Sequence, residues 1–139
     1  MYILDTNVIS EFRKIGNNTC HPNVLSWSNT IDVPLLYLSV ITLMELEIGC
    51  LSLTRRDVEQ ATILRTWISD YVLTAFHGRI LPFDQPSAQK CAALHVPDRK
   101  SERDAMIAAI ALHSDFTLVT RNIRDFVGTG VRIINPWDA

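Results

Sequence analysis

Short apolar runs alternate along this chain with longer stretches in which apolar residues recur at helical spacing. The short runs predict strands, which cover Tyr2–Leu4, Leu36–Val40, Arg79–Phe83, Phe116–Thr120 and Val131–Ile134. The longer stretches predict helices, which cover Thr42–Leu53, Arg55–Phe76, Asp84–Leu94 and Glu102–His113. The second helical stretch is long enough to be broken once. The third begins with a capping aspartate and a proline in its first turn.

The alternation of strands and helices indicates βαβ units. Such units build a mainly parallel sheet with helices on both faces. We therefore predict an α/β fold with three layers, α/β/α, around a central sheet of the five predicted strands. No internal repeat and no break in composition marks a linker, and 139 residues is a typical length for one domain. We expect a single domain over residues 1–139.

Charge restricts the possible functions more than composition does. Hydrophobic residues at 47% and charged residues at 20% are ordinary for a soluble globular protein, but the formal net charge is -2. Proteins that bind nucleic acid through their overall charge are usually basic. A role with nucleic acid would therefore need a local basic surface or the help of metal ions.

The cysteines and the N-terminal segment indicate where in the cell the protein is located. Cys20, Cys50 and Cys91 are widely spaced and odd in number, which indicates small buried side chains in a reducing environment. The N-terminus lacks the basic lead of a signal peptide, and no apolar run approaches the roughly 20 residues that span a bilayer. We expect a cytoplasmic protein without a membrane segment.

Acidic and amide side chains are predicted to gather at one edge of the sheet. Asp5 directly follows the first strand, Glu45 lies early in the helix after the second strand, and Asp104 lies in the first turn of the last helix. Asn122 and Asp125 follow the fourth strand. Parallel sheets place their sites at the carboxyl ends of strands. Gathered carboxylates repel unless a cation is present, and Mg2+ or Mn2+ suits oxygen ligands, so the pattern predicts metal-assisted phosphodiester hydrolysis.

Most of these residues also have a purely structural interpretation. Asp5 could cap a short helix that starts at Val8, Asp104 could stabilise a helix dipole, and Asp125 could cap a turn. Glu45 is harder to explain in this way, because it lies within the apolar segment TLMEL. The coincidence of several such positions at one edge favours a functional site.

Five segments of the chain carry a family resemblance. They read ILDTNVISE, YLSVITLMELEIG, RDAMIAAIAL, TLVTRNIRDF and RIINPWD, and they span nearly the whole chain. Together they resemble the PIN-domain ribonucleases of the VapC type, especially the branch that includes FitB, which are toxins of type II toxin–antitoxin pairs. The resemblance implies a small PIN-like α/β/α domain that gathers acids around Mg2+ or Mn2+ and cleaves RNA, with tRNA among the candidate substrates.

The motifs of that family can be carried over residue by residue. They imply that Asp5, Glu45 and Asp104 are catalytic, metal-binding acids. The family's fourth acidic position falls on Asn122, which leaves a second metal site open. Asp125 could compensate directly or through water, or it could be structural. Hydrogen-bonding support for the acids is expected from Thr6, Asn7 and Thr120.

Basic residues flank the predicted acids and could hold RNA phosphates beside the metal. The candidates are Arg13, Arg103, Arg121 and Arg124, although a solvated surface is the ordinary place for such side chains. The resemblance also implies a VapB-like or FitA-like antitoxin, and a homodimer or a higher toxin–antitoxin assembly. Part of the stretch around Trp67 could form the antitoxin groove or the dimer face, or could pack in the core.

Other functions explain the sequence less completely. A PIN-fold housekeeping nuclease without an antitoxin would share the acids and differ only in its neighbouring gene. An interaction module that has lost its chemistry would explain Asn122 but not the other acids. A phosphatase would need an aspartate nucleophile in a D-x-D motif, and Asp5 is followed by Thr6 and Asn7 instead. The histidines show no spacing typical of a zinc site.

Overall fold

A parallel sheet of five strands forms the middle layer of the protein. A computed structural model describes residues 1–138. The strands are β1 (Tyr2–Leu4), β2 (Leu36–Ser39), β3 (Ile80–Leu81), β4 (Thr117–Val119) and β5 (Ile133–Ile134). They lie in the order β3-β2-β1-β4-β5, and every neighbouring pair is parallel. The predicted α/β fold with a parallel five-stranded sheet is confirmed.

Helices connect the strands. They are α1 (Thr6–Phe12), α2 (Pro22–Ser28), α3 (Val40–Thr54), α4 (Val58–Thr66), α5 (Leu73–Ala75), α6 (Gln85–Leu94) and α7 (Glu102–Ser114). A π-helical segment, Trp67–Val72, joins α4 to α5, and 3-10 helices cover Arg13–Asn17, Val33–Leu35 and Ile123–Phe126. Within residues 1–138, no helix is both long and apolar enough to cross a membrane.

Hydrophobic cores lie on both faces of the sheet, because successive side chains of a strand point to opposite faces. On β1, Leu4 belongs to a cluster with Val8 of α1 and Ile68 of the π-helical segment. Ile3 belongs to a second cluster, which includes Ile107 of α7. The helices are thus divided between the two faces, which gives the predicted three layers.

β2 and α3 meet at a capping serine. Ser39 Oγ accepts a hydrogen bond from the backbone N–H of Thr42 at 3.1 Å, which ends the strand and starts the helix at Val40. The predicted strand end at Val40 and the predicted helix start at Thr42 are therefore wrong. β3, β4 and β5 are also shorter than predicted, because fewer residues pair with the neighbouring strands.

The helices differ from the sequence pattern near the N-terminus and at the start of α4. α2 was absent from the predicted elements, and α1 was present only as the alternative in which Asp5 caps a short helix. The predicted helix over Arg55–Phe76 starts later, at Val58, because Asp57 Oδ1 accepts a hydrogen bond from the backbone N–H of Gln60 at 3.1 Å. The expected break in this stretch is the change from α to π geometry at residue 67.

The strand order changes direction at β1. The chain adds β2 and β3 on one side of β1, and then returns to add β4 and β5 on the other side. The crevice between the carboxyl ends of β1 and β4 is therefore the topological switch point, where α/β proteins bind their ligands. Asp5 directly follows β1 and Thr120 directly follows β4, so both residues lie at this crevice.

Candidate active site

Asp5 lies at the switch point and is held there by four hydrogen bonds. Its backbone N–H donates to the carbonyl of Val119 at 2.9 Å, which ties it to β4. Its Oδ1 accepts the backbone N–H of Thr6 at 2.8 Å, and its Oδ2 accepts the hydroxyl of Thr120 at 2.8 Å and the amide of Asn7 at 3.2 Å. Asp5 is therefore the N-cap of α1 as well as a buried carboxylate at the crevice. The structural and the functional interpretation of this residue are compatible.

Burial makes ionisation of Asp5 unfavourable. Only 5% of the residue is exposed, and desolvation is the largest cause of a raised pKa for this carboxyl. The hydrogen bonds from Thr120, Thr6 and Asn7 lower the pKa, whereas the nearby charge of Glu45 raises it further. On balance, the negative charge of Asp5 is only partly compensated by the protein.

Glu45 reaches the same crevice from α3. Its Oε1 accepts the hydroxyl of Thr6 at 2.6 Å, and its Oε2 lies 3.5 Å from the guanidinium of Arg103 on α7. The side chain is 25% exposed, which is a low value for a glutamate. Residues of α1 and α7 thus hold the two oxygens of one carboxylate on α3.

Asp104 lies in the first turn of α7. Burial raises the pKa of its carboxyl, and the charges of Asp125, Asp5 and Glu45 raise it further. A hydrogen bond from Ser101 lowers it. Asp5, Glu45 and Asp125 therefore lie close enough to Asp104 for their charges to act on its carboxyl.

The loop after β4 completes the rim of the crevice. The backbone N–H of Asn122 donates to Thr120 Oγ1 at 3.0 Å, and the backbone N–H of Arg121 donates to Asn7 Oδ1 at 3.1 Å. The side chains of Asn122 and Asp125 are exposed. An open groove runs along this loop, and it is lined by Arg121, Asn122, Ile123, Arg124, Asp125 and Val127.

The basic candidates do not all lie at the acids. Arg103 pairs with Glu45, and Arg121 and Arg124 line the groove beside Asp125. The guanidinium of Arg121 also lies over the ring of Trp137, 5.3 Å from its centroid. Arg13 instead lies over Trp67, 5.8 Å from that ring centroid, in a separate groove with Lys14. Of the four arginines, Arg13 is therefore the least supported as a phosphate contact beside the acids.

Two buried hydroxyls near the site were not predicted. Ser39 and Thr42 have no exposed surface. Thr42 Oγ1 lies 3.4 Å from both Ser39 Oγ and Thr6 Oγ1. The signal in the sequence was a serine between a strand and a helical stretch, which is typical of a helix N-cap. That signal predicts the cap but not its contact with Thr6.

The donor set fits a hard divalent cation. Among the described residues, no three histidine, cysteine or acidic side chains are spaced so that all could hold one ion. Mg2+, however, is usually bound through one or two carboxylates and keeps several of its waters. Asp5, with Asp104 and Glu45 around it, offers oxygen ligands with excess negative charge, which suits an ion held partly through water.

Comparison with known proteins identifies the family. The PIN domain model matches residues 2–129. The chain is 36% identical to VapC ribonuclease Y4jK of Sinorhizobium fredii over 99% of both chains. It is 33% identical to toxin FitB of Neisseria gonorrhoeae, also over 99% of both chains. The chain therefore belongs to the PIN-domain family.

A solved structure supports the same assignment. The crystal structure of FitAcB from Neisseria gonorrhoeae matches all of this chain and all of its own, with a TM-score of 0.89 and 32% identity. The similarity to VapC-type and FitB-type proteins thus covers sequence and fold together. The resemblance found in the five sequence segments is confirmed.

Proposed function

We propose that this protein is an endoribonuclease that depends on Mg2+ or Mn2+ and acts in the cytoplasm as the toxin of a toxin–antitoxin pair. The observation that carries the proposal is the gathering of Asp5, Glu45, Asp104 and Asp125 at the switch point of the sheet. The similarity to a VapC ribonuclease and to toxin FitB supports the substrate class and the toxin role.

Each acid has a defined task in this proposal. Asp5, Glu45 and Asp104 would hold the divalent ion partly through its coordinated waters, and Asp125 and Asn122 would complete its surroundings at the rim. The ion, when bound, lowers the pKa of a coordinated water and neutralises charge on a phosphoryl oxygen. Thr120 and Asn7 orient Asp5 through the hydrogen bonds that its Oδ2 accepts.

The cations of the rim would position the RNA backbone. Arg121 and Arg124 line the groove beside Asp125, and Arg103 lies next to Glu45. Phosphate contacts of this kind fix the register of a nucleic acid without reading its bases. A chain with a net charge of -2 can bind RNA in this way because the attraction is local.

An RNA cleavage assay tests the proposal directly. Purified protein is incubated with total RNA or tRNA in the presence of Mg2+, Mn2+ or EDTA. We expect cleavage with either metal and none with EDTA, and we expect Asp104→Asn to be inactive. Glu59→Gln is the matched control, because Glu59 is an exposed acid in the first turn of α4. Cleavage in EDTA, or full activity of Asp104→Asn, would contradict the proposal.

We further propose that the antitoxin docks in the groove around Trp67. Its lining includes Arg13, Lys14, Ile63 and Trp67, and Tyr71 stacks on Trp67 with 6.2 Å between the ring centroids. Aromatic rings with two cations suit a peptide segment that carries apolar and acidic side chains. This groove shares no lining residue with the groove along the loop after β4.

Co-purification tests the docking site. The protein encoded beside the toxin gene is co-expressed with tagged wild type, with Arg13→Glu and with Arg55→Glu as an exposed control. We expect Arg13→Glu to lose the partner and to keep RNA cleavage. A variant that keeps the partner would place the antitoxin elsewhere, for example across the dimer of the toxin.

A further inference from the structure

Thr6 is hydrogen-bonded to two carboxylates of the site at once. Its backbone N–H donates to Asp5 Oδ1 at 2.8 Å, and its hydroxyl donates to Glu45 Oε1 at 2.6 Å. Asp5 precedes α1, whereas Glu45 lies on α3. One residue in the first turn of α1 therefore connects acids that come from separate parts of the chain.

The hydroxyl proton of Thr6 is committed to Glu45. Thr6 has a single hydroxyl proton, and Glu45 Oε1 accepts it at 2.6 Å. Thr42 Oγ1 lies 3.4 Å from Thr6 Oγ1, which is long for an O–H···O hydrogen bond. Ser39 Oγ lies 3.4 Å from Thr42 Oγ1 and accepts the backbone N–H of Thr42. Thr42 therefore contacts the Thr6 hydroxyl and is itself held by the cap of α3.

This arrangement fixes the orientation of the Glu45 carboxylate. Ser39 and Thr42 are fully buried, so their hydroxyl groups are shielded from bulk solvent. The links at 3.4 Å are long for O–H···O hydrogen bonds, and the 2.6 Å link to Glu45 is the strong one. Because Oε2 faces Arg103, the bond from Thr6 fixes the other oxygen.

We propose that Thr6 is a positioning residue that sets the relative placement of the Asp5 and Glu45 carboxylates for a divalent ion. The two carboxylates repel, as the effect of Glu45 on Asp5 indicates. Two donors from one residue offset that repulsion without adding a positive charge that would compete with the metal. The inference rests on the proposed metal site, and it adds a residue that would hold no metal itself.

Mn2+ binding to the free protein tests this inference without RNA. Thr6→Val removes the hydroxyl and keeps the backbone N–H that Asp5 accepts, and Thr6→Ser keeps both donors. Losing a group that orients a metal ligand typically costs about 10–100-fold in affinity. We therefore expect Thr6→Val to weaken Mn2+ binding by about tenfold or more in calorimetry, and Thr6→Ser to stay within about threefold of the wild type.

Thr62→Val is the matched control. The Thr62 hydroxyl donates to the carbonyl of Val58 at 2.9 Å on an exposed turn of α4, so this variant loses a hydroxyl of the same type away from the site. We expect its Mn2+ affinity to equal that of the wild type. Circular dichroism verifies that all variants remain folded.

A double-mutant cycle separates positioning through Glu45 from a general effect on the fold. If Thr6 acts through Glu45, Thr6→Val should have no further effect on Mn2+ affinity in a Glu45→Ala background, which has no acceptor for the Thr6 hydroxyl. An equal loss in both backgrounds, or a Thr6→Val variant that binds Mn2+ like the wild type, overturns the inference.

The same measurements distinguish this inference from the proposed function. A wild type that binds no Mn2+ overturns both. Mn2+ binding that Thr6→Val weakens, in a wild type that cleaves no RNA, overturns the ribonuclease proposal and supports the role of Thr6.

Discussion

Asp5 combines two roles that usually belong to different residues. As the N-cap of α1 it satisfies the backbone N–H of Thr6, which stabilises the start of the helix. As a buried acid at the switch point it carries a charge that the protein does not fully compensate. A substitution of Asp5 would therefore remove the helix cap and a ligand of the proposed metal site at the same time. Asp104, which caps no helix, is the better residue for separating stability from function.

Asp104→Asn should make the metal-free protein more stable while abolishing cleavage. The pKa of Asp104 is raised by burial and by neighbouring acids, so its ionised form is unfavourable in the native state at neutral pH. A neutral amide removes that repulsion, and we expect a gain of about 0.5–2 kcal/mol in the free energy of unfolding. Urea unfolding in EDTA measures it, and RNA cleavage should fall by about 100-fold or more.

The pH dependence of stability in the absence of metal tests the same repulsion between acids. Because the folded-state pKa values of Asp5 and Asp104 lie above the ordinary value of 3.8, the native state binds more protons than the unfolded state in that range. Asp5 and Asp104 therefore contribute a loss of stability as the pH rises from 3.8 through their raised pKa values. Glu47 and Asp84, whose pKa values are lowered, contribute in the opposite direction, so the test is the difference between two proteins. Relative to Asp104→Asn, the wild type should lose stability as the pH rises. Equal pH dependence in the two proteins would contradict the predicted repulsion. Saturating Mn2+ should raise the stability of the wild type.

Asn122→Asp should increase the affinity for divalent ions. An amide oxygen can ligate a metal but brings no charge, so we expect one ion to dominate in the wild type at low concentration. Asn122 is exposed at the rim, and its backbone is fixed by Thr120, so a carboxylate is tolerated there. Calorimetry with Mn2+ measures the change.

Asp125→Asn tests whether Asp125, rather than Asn122, fills the fourth acidic position. Asp125 is exposed, and its charge acts on Asp104. We expect its loss to lower cleavage less than Asp104→Asn does. Two equal and tight Mn2+ sites in the wild type would contradict the prediction that one ion dominates. An Asp125→Asn variant as inactive as Asp104→Asn would make Asp125 the fourth acid and leave Asn122 as a turn residue.

The strands and helices show which features of the fold a sequence pattern predicts and which it does not. The five strands were predictable, because strands in an α/β protein are short apolar runs. The placement of acids at one edge was predictable from Asp5 directly after β1 and from Glu45 and Asp104 within the helices α3 and α7. α1 was predictable only as the alternative in which Asp5 caps a short helix, because it is only seven residues long. The Thr6 contact with Glu45 joins α1 to α3, and a contact between distant segments leaves no local periodicity in the sequence.

Ser39→Ala should destabilise the junction of β2 and α3. The change removes the N-cap of a 15-residue helix and leaves the buried hydroxyl of Thr42 with one partner fewer. We expect a loss of about 1–2 kcal/mol in the free energy of unfolding. Urea unfolding measures it, and Ser52→Ala, at an exposed position of the same helix, should cost much less. Equal effects of the two variants would contradict the capping role.

At the scale of the whole molecule, the proposed RNA binding would depend on local charge, because the net charge of the chain is -2. Arg124→Gln should raise KM several-fold and leave kcat nearly unchanged, because a phosphate contact acts in binding rather than in chemistry. It should also reduce the slope of log affinity against log salt by roughly 1. Binding titrations of a short RNA at several salt concentrations measure the slope. Arg55→Gln serves as the exposed control, and an unchanged slope in Arg124→Gln would remove Arg124 from the interface.

The central position of β1 has a consequence for synthesis. β1 is made first, yet Tyr2 pairs with Thr117 of β4, which leaves the ribosome only after most of the chain is complete. At roughly 5–20 residues per second, β1 waits for its second neighbour for on the order of ten seconds. The crevice that holds Asp5 needs β4 to close, so a nascent chain contains no assembled site. Any activity that depends on this crevice therefore begins only after synthesis of the chain is nearly complete.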